Sequence, residues 1–211
     1  MPTTDDEKAM ALYLSIMEEA KIRAYSINTI TNNPIGLPPP LVREYCFLQL
    51  RMLCELIALG CLVAHGDIKE TKAKDFQKAY KADDILKRLG ELHPAFYPVP
   101  VTPVFGKASV HLEVIETGFL TKSDLIELYG KCGDVLHKGN LRRLLSPRIP
   151  SQTNFPDINN WGQKTLNLLS SHRISRVGGN FHFVTFLEAA QAGGNVLVSI
   201  AESPKDTLPS A

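Results

Sequence analysis

The stretch Leu41–His65, LVREYCFLQLRMLCELIALGCLVAH, decides the fold. Its few polar residues, Glu44, Arg51 and Glu55, stand seven and four positions apart, which lines them up on one narrow stripe of a helix. Arg51 and Glu55 are spaced to pair along that stripe. A helix apolar on nearly every other side has to be enclosed by other elements, so the reading is a central post inside a mainly α fold. Pro38, Pro39 and Pro40 stand before it, where proline suits a helix start, and Gly66 follows it, where glycine suits a left-handed cap. A membrane span is the competing reading. The uncharged run Leu56–Ala64 is nine residues long, against the roughly 20 needed to cross a bilayer, so a buried helix with no membrane contact is expected.

Working outward, the whole chain has 211 residues, 44% hydrophobic and 21% charged, enough to bury a core without a staple. The net charge of +1 excludes a global attraction to nucleic acid or membrane and leaves only local patches. The start, MPTTDDEKAM, is acidic and lacks the basic and apolar parts of a secretory signal, which predicts a cytoplasmic protein. Cys46, Cys54 and Cys61 lie on the central helix, where steps of eight and seven residues rise by about 12 and about 10 Å, too far for a bridge within it. They read as reduced core residues. Cys132 has no CxxC partner and no histidine at a zinc-ligand spacing, so it reads the same way.

Periodicity predicts four more helices. Met10, Leu14, Met17, Ala20 and Ala24 mark one from Asp5 to about Thr29; Phe76, Ala79, Tyr80, Leu86 and Leu89 mark one from Lys72 to about Leu92. A third begins at Thr121, whose spacing to Asp124 fits a capping box, and buries Leu125, Leu128, Tyr129, Cys132, Val135 and Leu136. The last runs from Asp157 to Leu169. Between Lys69 and Arg88 seven basic and four acidic residues read as a solvated face. The Pro-rich stretch 93–118 reads as an irregular insertion with one short extended segment at Val110–Ile115, either a binding or dimerising loop or a cover for the core. From residue 173 the apolar period drops to two, predicting a small three-stranded antiparallel β-meander at Arg173–Val177, Phe181–Leu187 and Val196–Ala201, with Gly178 and Gly179 in a hairpin turn. Phe181, His182, Phe183 and Phe186 read either as core or as an aromatic platform for bases. The domains are therefore a bundle at 1–172, a meander at 173–202 and a loose tail at 203–211.

The chemistry concentrates in LYGKCGDVLHKGNLRRLL, residues 128–145. His137 stands near a helix end, with Gly139 and Asn140 as stop signals and Lys138, Arg142, Arg143 and Arg148 after it; from Lys131 to Arg148 there are five basic residues and one acidic, Asp134. An imidazole exchanges protons near pH 7 and can assist attack by an RNA 2′-hydroxyl without a metal, with Asp134 one turn earlier to orient it. A histidine in the last turn of a helix is also favourable through the helix dipole alone, and both readings stay open. His65, at the end of the central helix, has the same two readings, and whether it meets His137 is left to the tertiary structure.

A helical bundle whose late helix reads Tyr129-Gly-Lys-Cys-Gly-Asp-Val-Leu-His137 resembles the HEPN superfamily, helical domains of prokaryotic toxins, defence proteins and RNA-processing enzymes. The resemblance covers the helices between Asp5 and Leu145 and implies a homodimer. Catalytic members are metal-independent ribonucleases with an arginine and a polar residue four to six positions before a histidine. Here Lys131 and Cys132 stand at that place. A lysine offers a point charge where arginine offers a planar fork. Six positions of helix also leave Lys131 and His137 about 120° apart around the axis. The resemblance therefore implies a non-catalytic member that binds RNA, a protein or a second copy, with Lys138, Arg142, Arg143 and Arg148 as the nucleic-acid contacts. The alternative is a ribonuclease in which His137, Lys131 and Asp134, or a nearby arginine, do the chemistry. No GxxxxGK[ST], GxGxxG, HExxH or GxSxG motif occurs, so no cofactor or metal is expected.

Overall fold

The computed structural model describes residues 4–66, 68–106, 110–137, 155–177 and 181–202. The chain runs α1 (Thr4–Asn32), α2 (Pro39–Ala64), a 3-10 turn (Lys69–Lys72), α3 (Lys74–Gln77), α4 (Ala82–Leu92), β1 (Val99–Phe105), β2 (Val110–Val114), α5 (Lys122–Leu136), α6 (Pro156–Leu169), β3 (Ser171–Ser175), β4 (Phe181–Ala189), and β5 (Asn195–Glu202). The fold is mainly α with an antiparallel sheet at one side.

Helix α2 is the central post: α1, α4, α5 and α6 all pack on it. Val42, Leu50, Leu53, Cys54, Ile57, Ala58 and Cys61 are buried on several sides of it. By length and composition α2 is apolar enough to cross a membrane, with a mean hydropathy of 1.9 over its most apolar window, so the nine-residue criterion understated it. What marks it as a core helix is that 61% of that window is buried inside the molecule. Enclosure is nevertheless incomplete. Leu41, Tyr45 and Leu48, at helical spacings of four and three, are 49%, 36% and 44% exposed, so the first half of α2 carries an open apolar stripe.

Helix α1 begins on Asp5, Asp6 and Glu7, carboxylates that suit the positive end of a helix, and buries Tyr13, Met17, Ala20, Ala24, Ile27 and Ile30. It packs closely on α2 at Gly60, where even a β-carbon would stand 3.0 Å from the Tyr13 ring. The helix expected over Lys72–Leu92 is broken. Thr71 donates its hydroxyl to the carbonyls of His65 and Ile68, turning the chain back, and a true helix resumes only at Ala82 with Asp83 and Asp84 in its first turn. Tyr80, counted as a core position, is 68% exposed; Phe76 is buried, with the Arg88 guanidinium 4.2 Å above its ring.

The sheet has five strands in the order β2-β1-β3-β4-β5, not three. The two extra strands come from the stretch read as irregular. β1 and β2 form a hairpin from Val101↔Val114 to Phe105↔Val110, and β1 joins the meander through only Val99↔Arg173 and Pro100↔His172. Prolines cannot donate to a ladder, which keeps that junction short. The β3–β4 register pairs Ser171↔Phe186 through Ser175↔His182, so β3 starts two residues earlier than expected. Alternation then puts His172, Ile174, Phe183 and Thr185 on the bundle side and Ser171, Arg173, Ser175, His182, Val184 and Phe186 on the other. The four residues considered as an aromatic platform are therefore divided between the two faces. The turn read at Gly178 and Gly179 and the tail at 203–211 lie outside the described residues.

Candidate functional site

Helix α5 is built as its sequence predicts. Thr121 Oγ1 accepts from the Asp124 N–H at 3.1 Å and the Thr121 N–H donates to Asp124 Oδ2 at 3.2 Å, closing the capping box. Lys164 reaches the same carboxylate at 3.2 Å; its bonds hold Asp124 below the usual carboxylate range although burial pushes the other way. Leu125, Leu128, Tyr129 and Cys132 are buried against α2, with the Cys54 thiol 3.9 Å from the Leu125 carbonyl. The helix stops at Leu136. His137 turns to extended backbone, φ −86° and ψ 132°, while its N–H still donates to the Gly133 carbonyl at 3.0 Å. Its side chain is exposed. Gly139 and Asn140, the expected stop signals, and Lys138, Arg142, Arg143 and Arg148 lie outside the described residues.

Lys131 turns away from His137. Its ammonium sits 2.5 Å from Glu127, one turn earlier, and 5.0 Å from the Trp161 ring of α6, which Lys164 also approaches at 5.2 Å. Asp134 is exposed and about 60° around the axis from His137. On the His137 side of α5 stands Arg51 of α2. Its Nη2 donates to the Tyr129 hydroxyl at 3.0 Å, that hydroxyl donates to Glu55 Oε1 at 3.1 Å, and Arg51 Nε lies 3.2 Å from the same carboxylate oxygen. A β-carbon on Gly133, one turn before His137, would stand 3.9 Å from Arg51 Nη1. Sequence reasoning paired Arg51 with Glu55 but missed its place beside α5. The only signal for it was their spacing on α2. Burial and the Glu55 charge push Tyr129 up to about 12, and burial pushes Cys132 up to about 12, so both keep their protons near neutral pH.

His65 and His137 do not meet. The contacts Cys54–Leu125 and Arg51–Tyr129 make α5 antiparallel to α2, which sends His137 toward the start of α2 and leaves His65 at its far end. His65 is buried, with Nδ1 2.8 Å from the Cys61 carbonyl and Nε2 3.0 Å from the Ser175 carbonyl. A neutral ring donates to one of these oxygens and a protonated ring to both. The His93 ring lies 5.1 Å away and reaches the same Ser175 carbonyl at 3.2 Å, while His182 Nδ1 is 3.0 Å from the Ser175 hydroxyl. Among the described residues these imidazoles gather on one serine, and no three His, Cys, Asp or Glu side chains converge as metal ligands. Comparison with known proteins finds no family model, no curated protein and no solved structure that matches this chain.

Proposed function

We propose that this chain is a non-catalytic, HEPN-like helical binding protein that pairs with a second copy of itself and binds RNA through the basic run Lys138, Arg142, Arg143 and Arg148. The observation that carries the reading is Lys131. Its charge is engaged by Glu127 at 2.5 Å and by the Trp161 ring, on the side of α5 away from His137, so the two residues that would have to share a scissile phosphate do not face one another. An exposed imidazole at a helix end, followed in sequence by four basic residues and no acidic one up to Arg148, suits phosphate contact without chemistry.

The ribonuclease alternative is favoured by one feature, the presence of Arg51 on the His137 side of α5. Its guanidinium is committed to Glu55 and the Tyr129 hydroxyl, which leaves the binding reading ahead. One experiment separates the two. Purified protein is incubated with several RNAs in the presence of a chelator, wild type beside His137→Ala and Arg51→Lys. The binding reading expects no cleavage, and an affinity that falls steeply with salt and weakens in the Arg142→Ala/Arg143→Ala double variant, because phosphate contacts release counterions. Cleavage by the wild type that disappears in His137→Ala overturns it. Neither cleavage nor salt-sensitive RNA binding removes RNA as the partner and leaves a protein-binding role.

A further inference from the structure

A pocket of about 520 Å³ opens between the two ends of the insertion that separates α4 from α5, within the size range of small-molecule sites. One wall is the run Pro94–Pro100 and the other Val114–Phe119, with Arg173 and Ser175 of β3 completing the lining. The walls are apolar and aromatic: Tyr97, Val99, Ile115 and Phe119. Tyr97 has already given its hydroxyl hydrogen to the Leu120 carbonyl at 3.0 Å, so what it offers is ring. The hairpin β1–β2 is thus more than a cover for the core, because its two roots make a cavity against the sheet.

The polar end of this pocket is Arg173 and Ser175 of β3. Arg173 Nε is shut off from solvent and has no hydrogen-bond partner, and among the described residues its guanidinium enters no ion pair. Buried polar groups in folded proteins are nearly always bonded, so the unbonded Nε shows that the protein does not saturate the guanidinium of Arg173, a residue that lines the pocket. Next to it the Ser175 hydroxyl is 3.0 Å from His182 Nδ1. When that nitrogen carries the hydrogen it donates to Ser175 Oγ, which frees the hydroxyl hydrogen for a ligand. One cation, one hydroxyl donor and apolar walls complement an anion with an apolar body. Glu116, also in the lining, disfavours a second negative charge and so selects a carboxylate over a doubly charged phosphate.

We propose that the pocket between residues 94–100 and 114–119 binds a small organic carboxylate, its head on Arg173 and Ser175 and its apolar or aromatic body against Tyr97, Ile115 and Phe119. This site is separate from the RNA reading and stands or falls without it. The test is a titration of the full chain, followed by amide chemical shifts, with 3-phenylpropionate, its neutral amide, acetate and phenyl phosphate. Saturable binding of 3-phenylpropionate is expected, with shifts concentrated at residues 94–100, 114–119 and 171–175. It should be about tenfold or more tighter than its amide, the worth of one charge-assisted hydrogen bond. Acetate should be weaker still, and Arg173→Met should lose the preference for the acid over the amide while Arg173→Lys keeps part of it. No saturable binding by the wild type up to low millimolar ligand overturns the proposal, as do shifts centred elsewhere or acetate binding as tightly as the aryl acid. Phenyl phosphate binding more tightly than the carboxylate overturns the choice of head group.

Discussion

Tyr13 and His172 make a buried polar pair tolerable by bonding every atom that counts. The Tyr13 hydroxyl is 2.7 Å from His172 Nε2, His172 Nδ1 is 3.1 Å from the Leu169 carbonyl, and both residues are closed to solvent. With the hydrogen on Nδ1, the neutral ring donates to Leu169 and accepts from Tyr13, so a second proton has no place. Burial accordingly lowers His172 from 6.5 to about 4. The sign of the pH effect follows. Below about pH 6.5 the unfolded chain takes up a proton that the folded chain refuses until about pH 4, so this contribution is intact above that window and is lost as pH falls through it. The loss amounts to about 3 kcal/mol. His182, lowered by burial and by the Arg173 charge, acts in the same direction. Urea unfolding at several pH values between 7 and 4.5 should show stability falling, and His172→Gln should flatten that fall; equal slopes in the two proteins would contradict the assignment. Asp124 and Asp157, held below the ordinary carboxylate value of 3.8, lose their contribution only at lower pH.

At the scale of elements, the α1–α2 contact depends on small residues. Gly60 meets the Tyr13 ring at a distance where an added methyl would press on a side chain that His172 and Phe183 hold in place, the latter ring edge-on at 5.9 Å. Gly60→Ala should therefore destabilise by about 1–3 kcal/mol, as overpacking does, despite alanine's better helix propensity. An unchanged or raised unfolding free energy would mean Tyr13 yields. One position earlier the helix is only half-buried. Leu56, 7% exposed, should cost about 2–5 kcal/mol on change to Ala, whereas Leu59 should cost clearly less. Chemical denaturation of the two variants measures the order, and a reversed order would misplace the core. Helix α5 was legible because a capping box and a buried stripe are local signals. The break between α3 and α4 was not, since Thr71 binding back to His65 is a contact between elements that periodicity does not register.

At the scale of the whole molecule, Leu41, Tyr45 and Leu48 leave an apolar stripe on the outside of α2. The stripe runs along two turns of one helix, so two antiparallel copies of α2 related by a two-fold axis would each cover the other's apolar side chains. Sedimentation should find a dimer in the micromolar range and a monomer for Leu48→Glu, with the helical signal unchanged. A wild-type monomer throughout that range would remove self-association from the proposed function. The four cysteines are buried and unbridged, and burial raises Cys46 to about 11, so oxidation should not drive this pairing.

The sequence by itself determined the mainly α fold, the central helix and its proline start, the capping box of α5, and a change to strands near residue 173, because each is written in residues near one another along the chain. It also carried the motif around His137 and the departure at Lys131. Only the tertiary structure decided that the Pro-rich insertion supplies two strands, that Lys131 meets Trp161, that Arg51 comes to α5 from another helix, and that Arg173 and Ser175 line a pocket walled from both ends of the insertion. Those outcomes depend on register between strands and on the direction in which α5 runs past α2. Arg51 and Tyr129 are 78 positions apart, a separation over which local propensity and spacing exert no force.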